Sequence, residues 1–165
     1  MIRSEKSPSD GAVREFVKNA NRELRKVQTR IHETKDKKSL INVPYRKMIS
    51  PVMVKSISQG VLRKLVEEKI YKNPDYTAKQ MAIDLHTNTR YLSAVVNSRF
   101  KKSYSSLVNE YRIKDAVVLL ADKHQRNKNI EEIGLMVGFA NRQSFYAAFS
   151  KYVGETPRSF RLKFL

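Results

Sequence analysis

The 165-residue chain has no cysteine. That excludes disulfides and cysteine-ligated metal sites, and it fits a reducing compartment. Glycine and proline number five each. With so few breakers and no long β-branched alternation, the expected class is all-α. No apolar run approaches the roughly 18–20 residues that span a bilayer. The opening residues, MIRSEKSPSDG, lack the apolar core of a signal peptide, so the expected location is cytoplasmic. A soluble piece of a larger membrane protein would share these features.

Acidic residues are also scarce. Sixteen Asp/Glu stand against 33 Lys/Arg, a net charge of +17. Such an excess attracts polyanions: nucleic acid or an acidic membrane surface. Residues 1–60 carry 14 basic and 6 acidic side chains, and residues 61–165 carry 19 and 10. The two parts therefore differ in pattern rather than in sign.

Enzyme motifs are missing as well. His32, His86 and His124 lie far apart with no acidic pattern around them, and no HExxH, P-loop or nucleophile elbow occurs. Neither catalysis, a metal nor a cofactor is expected.

What is present is helical. Val13, Val17, Ala20, Leu24, Val27 and Ile31 are spaced 4, 3, 4, 3, 4, the seam of a short coiled coil. This segment reads either as a homodimerisation helix, Val13–Ile31, or as an amphipathic helix packed on its own domain. Lys35–Lys38 reads as a solvated break. Asn42–Pro51, with two prolines, reads as a linker. Residues 1–55 are thus an N-terminal helical or coiled appendage, and residues 56–165 a separate domain.

Regular structure is expected to resume near Val54, with Ile57, Val61, Leu65 and Val66 on one face running to Ile70. Thr77 followed by Gln80 reads as a capping box. A short helix from Ala78 to Leu85 turns Met81, Ala82 and Leu85 inward. His86-Thr87-Asn88 makes a turn, and Asn88 caps a helix from Thr89 to about Asn97. Leu92, Val95 and Val96 form its inner face; Thr89, Arg90, Ser93 and Ala94 begin its outer face. This is the layout of a helix-turn-helix, whose second helix enters the major groove.

The layout recurs. Asn129 with Glu132 repeats the cap, and Ile133, Gly134 and Val137 take the places of Met81, Ala82 and Leu85. Asn141 repeats Asn88, while Phe145, Ala148 and Phe149 repeat Leu92, Val95 and Val96. The offset is 52 residues in the first helix and 53 in the second. Gly138-Phe139 is read as the source of the extra residue, with glycine supplying positive φ. Gly134 is read as a point of close helix approach. Between the copies, Tyr104 to about Lys123 carries a wide apolar stripe and reads as a rigid linker helix. Thr156 caps a last short helix that starts at Pro157. Arg158, Arg161 and Lys163 are expected to add charge there.

The stretches TAKQMAIDLHTNTRYLSAVVN, SLVNEYRIKDAVVLL and NIEEIGLMVGFANRQSFYAAFSKYVGETPRSFR carry a resemblance. Residues from about 56 to 161 resemble the DNA-binding domain of AraC/XylS-family transcription regulators. The first reader, with its Asn-Thr-x-Tyr-Leu run, is similar to Bacteroidetes-type members. The resemblance implies two helix-turn-helix subdomains, about 77–97 and 130–151, joined by a linker helix at about 104–123. It implies sequence-specific binding of double-stranded promoter DNA, often with contact to RNA polymerase.

By position it assigns base contact to Arg90, Ser93 and Ala94, and to Arg142, Gln143, Tyr146 and Ala147. Arg90 suits guanine and Gln143 adenine. Thr77, Asn129, Lys151 and Arg158 are the phosphate candidates. The alternative for each is an ordinary cap or a solvated surface side chain. The chain departs from the family's usual residues at Lys102-Ser103 and Gly134, where Gly and Ala are frequent, and at Ser150. Residues 1–55 do not resemble the sugar-binding barrel of many relatives. A basic RNA-binding protein, or an adaptor that uses the basic N-terminal helix on a protein or membrane surface, is the competing class.

Overall fold

The computed structural model describes residues 49–164, which are all helix and turn. Seven α-helices follow one another: α1 (Pro51–Val66), α2 (Ala78–Asp84), α3 (Thr89–Phe100), α4 (Tyr104–Ala121), α5 (Ile130–Met136), α6 (Arg142–Val153) and α7 (Pro157–Leu162). Short 3-10 turns occupy Ile70–Lys72 and Lys123–Gln125. No strand occurs among the described residues, as the scarcity of breakers and of alternating apolar residues led one to expect. The candidate coiled-coil seam Val13–Ile31, the Lys35–Lys38 break and the first part of the linker lie outside the described residues. The described chain falls into two compact units whose boundary lies inside α4, between Tyr111 and Arg112.

In the first unit, α1 starts earlier than its sequence suggests. Ser50 Oγ accepts from the Met53 amide at 3.2 Å, and Pro51 is the first helical residue. Pro51 therefore begins a helix rather than closing a linker. The amide it lacks has no intrahelical partner at that position, so proline is tolerated there. The helix also ends earlier. Lys69, with φ 50, breaks the run before Ile70, and Val66 is exposed. Ile57, Val61 and Leu65 form the buried stripe, as expected.

α2 buries Met81 and Ala82. Leu85 at its end is half-buried and lies over Gly60 of α1, where a Cβ would stand 2.5 Å from Leu85 Cδ2. Asp84 ties the same corner together. It accepts from Tyr76 Oη at 2.6 Å and Gln80 Nε2 at 2.8 Å, and it lies 3.1 Å from Lys64 Nζ. These donors hold its carboxyl down to about 2, with the Tyr76 bond foremost. α3 buries Leu92, Val95, Val96 and Phe100. It runs three residues beyond Asn97, because Phe100 still faces the core, and closes at left-handed Lys101. Ser103 Oγ accepts from the Ser106 amide at 3.2 Å, so the serine at this departure from the family pattern begins α4.

The second unit has an aromatic core. Phe139, Phe145, Phe149 and Phe160 pack with Ile113, Ala116, Val117, Leu120, Ile133, Val137 and Ala148. Ring centres stand 5.3 Å apart for Phe139–Phe145, 5.7 Å for Phe145–Phe149 and 5.6 Å for Phe149–Phe160. Each fully buried side chain of this size contributes roughly 1.5–3 kcal/mol. The Arg112 guanidinium lies 5.4 Å from the Phe139 ring centre.

Arg161 corrects an expectation. It is 8% exposed, and it donates to the carbonyls of Gln125 and Lys128, both at 2.6 Å. It is a buried brace between α7 and the turn that precedes α5, not surface charge. A guanidinium fork can serve two carbonyls at once, which explains why arginine stands there. Lys163 is likewise engaged, 2.5 Å from Glu155, and that lysine's hydrogen bond draws the Glu155 carboxyl below its usual range.

Candidate nucleic-acid interface

Each unit contains one helix-turn-helix, α2–α3 and α5–α6, and the two are built alike. In both, an asparagine caps the second helix. Asn88 Oδ1 accepts from the Tyr91 amide at 2.8 Å, and Asn141 Oδ1 from the Ser144 amide at 2.9 Å. Asparagine is a strong cap because its short side chain reaches the exposed amides of the first turn.

The turns share one hydrogen-bond pattern. Thr87 N donates to Ala82 O at 2.9 Å and His86 N to Ile83 O at 3.0 Å. Phe139 N donates to Gly134 O at 3.0 Å and Gly138 N to Leu135 O at 2.9 Å. These are paired Schellman closures around a left-handed residue, His86 at φ 50 and Gly138 at φ 100. Gly138-Phe139 thus matches His86-Thr87 residue for residue. The extra residue of the second turn is Ala140, placed between Phe139 and the Asn141 cap, not Gly138-Phe139 itself. Phe139 does fill the core, at 3% exposed.

The first helices differ more at their caps. Thr77 Oγ1 accepts from the Gln80 amide at 3.2 Å, but the Gln80 side chain turns to Asp84 instead of reaching back. The expected reciprocal box is therefore only half formed. At Asn129 the box is complete: Asn129 Oδ1 accepts from Glu132 N at 2.8 Å, and Glu132 Oε2 accepts from Asn129 N at 2.6 Å. Thr156 caps α7 through Ser159 N at 3.1 Å, with Pro157 first in the helix, as expected.

The inner faces leave the predicted residues outside. On α3, Arg90 and Ser93 are exposed and Ala94 is half-exposed. On α6, Arg142, Gln143 and Ala147 are exposed and Tyr146 is half-buried. The 3- and 4-residue spacings gather Arg90, Ser93 and Ala94 on one side of α3, and join Arg142 to Tyr146 and Gln143 to Ala147 on α6. Thr77, Asn129, Lys151 and Arg158 are all exposed. The Thr77 and Asn129 side chains are engaged as caps. Lys151 Nζ lies 6.0 Å from the Tyr152 ring centre.

Sequence patterning missed one neighbour. Arg142 Nη1 donates to Glu131 Oε1 at 2.9 Å, and its guanidinium carbon lies 5.0 Å from the Tyr146 ring centre. The Arg142–Tyr146 spacing of four was visible in the sequence. The Glu131 contact was not, because the turn folds back two residues that stand eleven apart.

Among the described residues, no group of three His, Cys, Asp or Glu side chains could hold a metal ion, and no helix is long and apolar enough to cross a membrane.

This duplicated architecture is that of helix-turn-helix DNA-binding proteins. A family model described as a helix-turn-helix domain matches residues 81–163. An uncharacterised HTH-type transcriptional regulator of Bacillus subtilis, YtdP, is 30% identical over 107 residues, which cover 65% of this chain and 13% of that protein. The melibiose operon regulatory protein of Escherichia coli is 28% identical over 85 residues, covering 52% of this chain and 27% of that one. A crystal structure of an AraC-type regulator from Chromobacterium violaceum has the same fold, with a TM-score of 0.53 at 23% identity over 64% of this chain and 93% of that one. The chain belongs to the AraC/XylS family of transcription regulators. It spans only 13% and 27% of the length of these two curated relatives.

Proposed function

We propose that the chain reads promoter DNA by placing α3 and α6 in successive major grooves on one face of the duplex. The observation that carries this reading is the residue-by-residue match of the two motifs. Cap, left-handed turn and buried triad agree, and in both the outward side of the second helix carries polar side chains able to meet base edges. α4, 18 residues and therefore about 27 Å long, is the proposed rod between the readers. Successive major grooves lie about 34 Å apart.

Arg90, Ser93 and Ala94 are the proposed base contacts of α3. Arg142, Gln143, Tyr146 and Ala147 are those of α6. Arg90 offers a bidentate fork to guanine, and Gln143 pairs with adenine. The alanines can touch only apolar groups such as a thymine methyl. Thr77, Asn129, Lys151 and Arg158 are the proposed phosphate contacts. Residues 56–165 form the proposed DNA-binding domain. RNA polymerase is the proposed protein partner, Val13–Ile31 the proposed homodimer contact, and the cytoplasm the proposed place of work.

Competition binding tests the proposal. The full chain should prefer one selected duplex over random duplex by at least about a thousandfold. Equal affinity for single-stranded RNA would favour an RNA-binding protein instead. Binding to acidic vesicles that survives deletion of residues 56–165 would favour a surface adaptor.

A further inference from the structure

Arg142 is the first residue of α6, the end of a helix least suited to a cation. Two neighbours hold it there. Glu131 accepts its Nη1 at 2.9 Å, and Tyr146 lies beneath its guanidinium, 5.0 Å from the ring centre. At the matching positions of the first motif stand Lys79, Thr89 and Ser93. The acid, the base and the ring are present together in one motif and absent together in the other.

Glu131 has the wrong sign for a surface that grips phosphates, since a carboxylate beside DNA repels the backbone. Nor does it secure the fold, because Arg142 and Glu131 side chains are 62% and 55% exposed, and exposed pairs add little stability. Its effect falls on where the guanidinium points. An arginine left loose at a DNA surface is drawn to phosphates, which take most of the contacts and carry no sequence information. One held by a carboxylate and a ring keeps its remaining donors in a fixed plane, ready for the paired acceptors of guanine.

We propose that Glu131 is a specificity-determining residue, which holds Arg142 against Tyr146 in the orientation that reads guanine and withholds it from the phosphate backbone. This rests on α6 being a base reader.

The test uses the full chain, a duplex selected by it from a random library, and random-sequence duplex. Glu131→Gln keeps the shape and removes the charge. Its preference for the selected duplex should fall about tenfold, with the loss concentrated at one G·C pair. Affinity for random duplex should rise by about threefold, because a carboxylate no longer faces the phosphates. In an Arg142→Ala background the same change should leave the preference alone. If Glu131→Gln keeps full preference while Gln143→Ala relaxes a neighbouring base pair, the role of Glu131 is overturned and α6 remains a reader. If neither variant alters preference, both readings fall together.

Discussion

A Cβ placed on Gly134 would stand 2.8 Å from Cδ1 and 3.0 Å from Cγ of Phe145. The ring of α6 thus occupies the space that a side chain on α5 would need. The first motif solves the same crossing with Ala82 and Leu92, both buried. A methyl beside a leucine has been exchanged for a hydrogen beside a phenyl ring.

Gly134→Ala should therefore destabilise the chain despite its better helix propensity. The propensity gain is about 1 kcal/mol, against an overpacking cost of roughly 1–3 kcal/mol. A net loss of about 1 kcal/mol is expected in denaturant melts. Phe145→Leu should relieve it, so that the double variant is more stable than the sum of the single effects by about 1 kcal/mol. Additive single effects would contradict the account.

Arg161 gives a larger effect. Arg161→Ala leaves the carbonyls of Gln125 and Lys128 without their buried donor. The expected loss is roughly 2–4 kcal/mol by thermal or chemical denaturation. Arg161→Lys should recover only part of it, because one ammonium cannot reproduce the planar fork. Full recovery by lysine would show that the charge alone is needed.

Acid stability follows from Asp84. Its carboxyl is held at about 2, against an ordinary value of 3.8. A carboxyl lowered by folding stabilises the folded state fully above the ordinary value, and this is lost as pH falls through the lowered one. Folding stability should thus decline from pH 3.8 toward about 2, with Asp84 among the causes. Asp84→Asn should flatten that slope when stability is followed by circular dichroism. An unchanged slope would remove Asp84 from the explanation.

Much of this was legible because it is local. Asn88, Asn129, Asn141 and Thr156 cap where expected, since a cap needs only the following three residues. Positive φ at Gly138 was readable for the same reason. The failures have physical causes too. Pro51 suits both a linker and a first helical position, and its neighbours alone do not decide between them. Gln80 had a second acceptor, Asp84, one turn further on, and that bond displaced the reciprocal cap. The burial of Arg161 and the pairing of Glu131 with Arg142 depend on chain returning from elsewhere, which no local spacing records.

Base and phosphate contacts should separate under substitution. Gln143→Ala should relax preference at one base pair, at about 1–3 kcal/mol. Lys151→Ala should weaken selected and random duplexes alike and lower the salt slope by about 1. Binding titrations at several salt concentrations distinguish the two patterns. A Gln143→Ala protein that behaves as wild type on its best site would mean that α6 does not read bases there.

Hydroxyl-radical and methylation footprinting of the full chain on its selected duplex tests the double reading most directly. Two protected major-groove segments about 10 base pairs apart on one face are expected, with Ser93→Trp removing one and Gln143→Trp the other. A single protected segment, erased by either substitution alone or by neither, would contradict the proposal that both helices engage the duplex.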